Sequence, residues 1–426
     1  MKRVLIVTPH WPPHVYPDMH RARTALPYLS ESDWEPLILS IDHSQLNGFQ
    51  DPDLMQTVPA KTRQWKAGAM ARFWLAALGI GDGGWRSLCS LYRIGREILE
   101  KEKPDLVFFS TSLFPVMMLG PLWKKQYGVP YVLDFQDPWV PDQRGLLLAK
   151  SCLKARLSRA LDRRMEPYAV KQAAHIISVS PSYVEMLSHR YALSEDRFTT
   201  LPFGAPESDF EIVQNRPVTQ NVFRLDDGFR HWVYAGRGGK DLRLALRAIF
   251  IALADARRKS PKDWSRLRLH FIGTQYAPSS NGPKSIAQLA AEHGVNDLVI
   301  EQTERIGYLE SLRCLLDAEA IVVPGSEDPG YTASKIYPCI LARKPLLAVF
   351  HQKSSVCDVL RKTGAGELVT FSDNARPGDV AARISRNWFE RWPRGTPATD
   401  WKEFSAYTAH EMTRKMCMAF DRALIV

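Results

Sequence analysis

Two short stretches carry residue types able to hold and neutralise a negatively charged ligand. The first is Gly236-Arg237-Gly238-Gly239-Lys240, where glycines flank two cations directly after the run His231-Trp232-Val233-Tyr234-Ala235. The second is Val322-Val323-Pro324-Gly325-Ser326-Glu327-Asp328-Pro329-Gly330-Tyr331-Thr332-Ala333-Ser334-Lys335-Ile336-Tyr337-Pro338. It reads as a buried strand, a glycine- and proline-rich loop, and a helix opening on a hydroxyl and a lysine. Proline is tolerated only in a helix's first turn, so Pro338 sets the start near Ser334 or Lys335. Free backbone N–H groups would stand there beside Lys335, an arrangement suited to phosphate. Arg237, Lys240 and Lys335 form a candidate set of counter-charges for departing phosphates, with no metal required.

A second set lies in the first half. Asp134-Phe135-Gln136-Asp137-Pro138-Trp139 follows the run Pro130-Tyr131-Val132-Leu133. A carboxylate at Asp137 or Asp134 could accept the proton of a substrate hydroxyl. Asp137-Pro138 would equally suit the entry to a helix. His10 and His14, in the loop after Arg3 to Val7, are candidates on the same side. The six cysteines are scattered without a CxxC pair, so neither a zinc cluster nor a disulfide framework is indicated. A reducing, cytoplasmic setting is expected.

The elements that must position these groups alternate between strand and helix. Arg3 to Val7, a loop, a helix from Asp18 to Leu29 and the strand Glu35 to Ser40 open a doubly wound sheet, whose ligands bind beyond the carboxyl ends of the strands. The G-x-G-x-x-G fingerprint is missing after the first strand, which disfavours a nicotinamide cofactor. Further strands are expected at Asp105 to Phe109, Pro130 to Leu133, Ile176 to Ser180 and Phe198 to Gly204. A polar connector follows, and the pattern restarts at His231. A +10 net charge points to an anionic partner, while no nucleic-acid motif is present. No window is apolar enough to span a membrane. Basic stretches bearing tryptophan or leucine, Lys61 to Leu78 and Arg144 to Arg164, suit an anionic membrane surface.

Taken together, the words in their order resemble the group-1 retaining glycosyltransferases of the GT-B fold. They are Gly236-Arg237-Gly238-Gly239-Lys240, Arg305-Ile306-Gly307-Tyr308-Leu309, Ser334-Lys335-Ile336-Tyr337 with Ala342-Arg343-Lys344-Pro345, and Leu201-Pro202-Phe203-Gly204. Asp134-Phe135-Gln136-Asp137-Pro138-Trp139 looks like that family's D-F-R-D-P-W variant. The resemblance implies an α/β protein of two facing Rossmann-like domains with a C-terminal helix. The expected division is an acceptor domain 1–204, a linker 205–228, a nucleotide-sugar domain 229–395, and a tail 396–426 that docks back on the first domain. It implies transfer of a sugar, with retention and without a cofactor, from a nucleotide diphosphate sugar to an acceptor; the basic stretches make that acceptor a lipid-linked or saccharide one at the inner membrane face. Gly236, Gly238, Gly307, Tyr308, Glu327, Thr332, Ser334 and Lys335 are the donor-binding residues it implies. The alternatives on the same fold are a non-catalytic nucleotide-binding protein and a sugar-nucleotide epimerase. Two departures stand out. Where the family carries paired glutamates this chain has Gly330 and Pro338, with Glu327 nearby, and the first loop has His14-Val15-Tyr16-Pro17 in place of a Gly-Gly pair.

Overall fold

The structure, a computed structural model, describes residues 1–70, 83–140, 153–275, 284–328 and 334–425. In chain order the first half gives β1 (Lys2–Val7), α1 (His20–Ala25), β2 (Trp34–Ile41), β3 (Arg63–Ala67), α2 (Gly83–Glu102), β4 (Leu106–Ser110), α3 (Leu119–Tyr127), β5 (Tyr131–Phe135), α4 (Leu153–Gln172), β6 (His175–Ser178), α5 (Pro181–Tyr191) and β7 (Phe198–Thr200). The second half gives α6 (Glu207–Asn215), β8 (Arg230–Ala235), α7 (Arg243–Lys259), β9 (Leu267–Ile272), α8 (Ser285–Glu292), β10 (Val299–Gln302), α9 (Tyr308–Asp317), β11 (Ala320–Pro324) and α10 (Ile336–Leu341). It ends with β12 (Leu346–His351), α11 (Ser355–Thr363), β13 (Glu367–Phe371), α12 (Pro377–Asn387) and α13 (Ala409–Ala423).

These elements make two compact units, Met1–Gly204 with Ala409–Val426, and Ala205–Thr408. Each is a Rossmann-like sandwich around one parallel sheet. The strand orders are β3-β2-β1-β4-β5-β6-β7 and β10-β9-β8-β11-β12-β13. Strands such as β4, β5, β11 and β12 are buried along their whole length. Helices cover both faces, so a parallel strand needs apolar residues at every position rather than at alternate ones. In the first unit, Leu91, Trp123, Val170 and Leu187 of α2 to α5 fill one face of the sheet. Ala22 of α1 and Met416 and Phe420 of α13 fill the other. In each sheet the order reverses once, between β1 and β4 and between β8 and β11. Helices diverge at such a point and open a crevice beyond the carboxyl ends of the two strands.

Four expectations change. The stretch 205–228 is no connector, because it carries α6. Phe210, Val213 and Phe223 are buried in the second core, and Tyr308 donates to Asp209 at 2.8 Å. Of the tail, residues up to Thr408 belong to the second unit and only the remainder to the first. The helix expected from Asp18 to Leu29 is broken into a single turn at Pro17–Met19, α1, and another turn at Leu29–Ser32. Residues 63–67 of the basic stretch Lys61 to Leu78 form edge strand β3. Trp65 packs on the core and Arg63 pairs with Glu102 and Glu35, so this part is tied into the sheet. Residues 71–78 and 144–152 of the two basic stretches lie outside the described residues.

Two buried histidines set an acid limit on this fold. Burial drives His175 of β6 down to about 4, with the charges of Arg422 and Arg197 adding to it. Burial and then the neighbouring His231 drive His270 of β9 down to about 4 as well. An unfolded histidine titrates near 6.5, so between about pH 6.5 and 4 the unfolded chain binds protons that the folded chain refuses. Stability therefore falls as pH falls through that window, by up to roughly 3 kcal/mol for each residue at its lower end. Urea titrations from neutral to acid pH should show this slope, and His270→Asn should flatten it. Equal stability across the window would contradict the assignment.

Candidate functional site

In the second unit, β8 and β11 deliver their loops to the crevice where the strand order reverses. Gly236 leaves β8 with its N–H on the carbonyl of Ile272, and Gly238 donates to the carbonyl of Thr274 at 2.7 Å. A Cβ at Gly236 would overlap the Lys335 ammonium and stand 3.0 Å from the Tyr234 hydroxyl, so only glycine lets the lysine in. Lys335 Nζ donates to Tyr234 Oη at 2.8 Å and lies 4.9 Å from the centre of that ring. The Tyr234 hydroxyl in turn donates to the carbonyl of Arg237 at 2.8 Å. Arg237 is clamped by Asp241 through two hydrogen bonds of 2.9 and 2.7 Å. Those bonds, together with Ser326, hold the Asp241 carboxyl down at about 2 against the opposing effect of burial.

The half-buried Lys335 is pushed down to about 8, first by burial and then by the positive charge of Arg237. Among the described residues Lys335 makes no ion pair, so a bound anion would relieve its repulsion with Arg237. The structure thus brings Arg237 and Lys335 together around Tyr234 and Gly236. Lys240 does not join them. It is exposed at the start of a turn, and its ammonium makes no hydrogen bond or ion pair with a described residue.

The remaining donor-side candidates are spread along the same rim. Gly307 caps α9. Glu327 is exposed and accepts the N–H of Leu244 in the first turn of α7 at 3.0 Å, so its carboxylate is engaged at a helix start. Lys335 is the N-terminal cap of α10, as the position of Pro338 requires, and Ser334 precedes it half-buried. With six residues, α10 is too short for its dipole to dominate, and the side-chain cations carry the charge. Thr332 lies outside the described residues. One supporting residue escaped sequence reasoning. Glu301 of β10 is buried, accepts Thr274 Oγ1 at 2.8 Å and caps α8 through the N–H groups of Ile286 and Ala287.

In the first unit the corresponding rim lies beyond β1 and β4. His10 Nδ1 stands 2.9 Å from both oxygens of Asp18, which also accepts the N–H and hydroxyl of Ser112 at 3.0 Å each. Burial raises the Asp18 pKa, but the hydrogen bond and charge of His10 with the Ser112 donors outweigh it and the carboxyl titrates below its ordinary value. An ionised Asp18 holds a proton on Nδ1, so in the neutral ring Nε2 is the acceptor nitrogen. Tyr16 stacks on the imidazole at 3.8 Å and fixes its plane. Asp137, exposed beside this pair, has its pKa raised by partial burial and then by the charge of Asp18.

Two candidates are placed away from the rim. Asp134 is fully buried, with Oδ2 accepting from Arg21 Nε at 2.8 Å, Gln136 Nε2 at 2.7 Å and Ser110 Oγ at 3.1 Å. Arg21 continues to the carbonyl of Leu201 at 2.6 Å, so Asp134 ties α1, β4 and β7 together and cannot reach a substrate hydroxyl. Its pKa is raised, burial prevailing over Arg21 and the hydrogen bonds. His14 is also fully buried, with Nε2 2.9 Å from the carbonyl of His43, and serves the loop interior.

The fold so described is the GT-B fold. Residues 20–204, under half of the chain, match the family model described as the glycosyl transferase 4-like domain. Among solved structures, a glycosyltransferase from Rickettsia africae ESF-5 is 12% identical, covers 99% of this chain and 98% of its own, and superposes with a TM-score of 0.59. Anabaena HepE in complex with UDP and glucose is 13% identical, covers 99% and 100%, and gives 0.59. The UDP-GlcNAc 2-epimerase from Methanocaldococcus jannaschii is 11% identical, covers 99% of each chain and gives 0.51. At these identities the likeness is one of fold. No curated protein sequence matches the chain. Among the described residues, no helix is long and apolar enough to cross a membrane and no cluster of metal-ligating side chains occurs.

Proposed function

We propose that the protein is a glycosyltransferase that moves a sugar from a nucleotide diphosphate sugar to a lipid-linked or cell-surface polysaccharide precursor, with retention and without a metal ion. The observation that carries this reading is the Arg237–Lys335 pair, two cations drawn together at the crevice of the second unit. The domain model matched by residues 20–204 and the UDP bound to HepE support it. The second unit would hold the diphosphate, whose charge grows as the glycosidic bond to phosphate breaks. The first unit would receive the acceptor, with His10 Nε2 accepting a hydrogen bond from its hydroxyl and Asp18 fixing the ring. The protein would work in the cytoplasm at the inner face of the membrane, where such precursors are assembled.

The test is to incubate the purified chain with UDP-, GDP- and ADP-sugars and measure nucleoside diphosphate release with and without a lipid-phosphate acceptor. Acceptor-dependent release, with the new glycosidic bond in the donor's anomeric configuration by NMR, is the expected result. Release from none of the donors would count against the reading. One observation favours a second, non-catalytic reading: Glu327, the glutamate nearest in sequence to the missing pair, is engaged at the start of α7. Under that reading a nucleoside diphosphate binds, and no donor sugar is ever transferred or rearranged. An epimerase on this fold would instead return a rearranged donor sugar without any acceptor.

A further inference from the structure

The outer surface of α3 and α4 in the first unit is basic in a way the sheet does not require. The two helices pack side by side, and Lys124 of α3 donates to the carbonyl of Gln172 at the end of α4 at 3.0 Å. Their inner sides are apolar, with Trp123, Ala169 and Val170 all buried. The outer sides expose Lys125, Arg163, Arg164 and Lys171, with the large apolar side chains of Leu122 and Tyr168 among them. The acids of α4 are turned the other way. Asp162 accepts from the indole of Trp139 at 3.0 Å, and buried Glu166 takes Arg190 at 2.7 Å and the N–H of Val140. Across α3, Glu100 of α2 is already paired with Arg96.

Four exposed cations therefore stand on this outer surface, and none of them makes an ion pair with a described residue. Such segregation is self-repulsive unless something anionic lies against it. Lysine and arginine stems with an exposed leucine and tyrosine are the combination that settles at a bilayer's headgroup level, with the charges on phosphates and the apolar bodies just beneath. We propose that this α3–α4 face docks the protein on anionic phospholipid headgroups. It would serve the lipid-linked acceptor proposed above, yet it stands on its own observation and is measured separately.

Each basic residue near an anionic bilayer strengthens attachment about fivefold. Co-sedimentation of the full chain with vesicles of phosphatidylcholine, alone or mixed with phosphatidylglycerol, tests the proposal. The expected result is binding to the mixed vesicles only, weakened at least tenfold in Arg163→Glu/Lys171→Glu. Leu122→Ser should weaken it further, with the melting temperature and nucleoside diphosphate affinity unchanged. Undiminished binding of the double variant, no binding to mixed vesicles, or tighter binding to an oligonucleotide than to mixed vesicles would each overturn it. Loss of nucleotide binding in the wild type, by contrast, would strike the transferase reading and leave the docking face standing.

Discussion

Lys335→Ala is expected to weaken nucleoside diphosphate binding about ten- to a hundredfold and to abolish sugar transfer, while the protein keeps its fold. A hydrogen bond from an ammonium to a phosphate is worth about 1.5–3 kcal/mol, which sets that range. The size of the effect rests on the position of Lys335 between Tyr234 and Gly236, where its ammonium is fixed by the tyrosine hydroxyl. The same residue predicts a pH signature. With its pKa at about 8, Lys335 is charged in the free protein below that value and adds no pH dependence of its own to binding there. Above it, binding must draw a proton onto the amine, so affinity falls with rising pH by up to about tenfold per unit. The alanine variant should lose this slope. Folding responds in the opposite sense. An unfolded lysine holds its proton up to about 10.4, so Lys335 lets stability rise with pH between about 8 and 10. Calorimetric titration across this range separates the two signs, and a wild-type affinity that does not fall above pH 8 would refute the role given to Lys335.

Asp134→Ala should be the most damaging substitution in the first unit, lowering the unfolding free energy by about 3–5 kcal/mol. The partner left behind is the Arg21 guanidinium, almost wholly buried, with the carbonyls of Leu201 and Pro202 as its remaining hydrogen-bond partners. An uncompensated buried charge is what makes breaking such a pair expensive, whereas replacing both partners with apolar groups removes the penalty. Arg21→Met/Asp134→Leu should therefore recover much of the loss. Urea denaturation of the single and double variants measures this. A single variant within about 1 kcal/mol of the wild type would mean that the pair is not structural, and would return Asp134 to the list of groups free to act on a substrate.

Some of this was legible in the chain. Arg237 and Lys335 announce themselves because glycine and proline around a cation just past an apolar run have few other uses, and Pro338 alone fixes where α10 starts. Asp241 could have been read as the clamp on Arg237 from its spacing of four residues. Asp18 could not. Its contact with His10 depends on the turn at Pro17–Met19 folding back toward the end of β1, and spacing does not encode that. Asp134 misled because an aspartate closing an apolar run looks like a rim residue. Only with Arg21, Ser110 and Gln136 in place does it become a buried position inside β5, one residue short of the strand's end. The polar composition of 205–228 likewise concealed three apolar anchors, which a count of charges cannot weigh.

The central claim is that the second unit presents a paired positive charge for a diphosphate. Titrating the protein calorimetrically with a nucleoside, its monophosphate and its diphosphate, for each base in turn, tests it most directly. The account predicts that for one base the affinity rises steeply from nucleoside to diphosphate, and that Arg237→Ala and Lys335→Ala each flatten that rise. Equal affinity for nucleoside and diphosphate, or a steep rise that survives both substitutions, would contradict it.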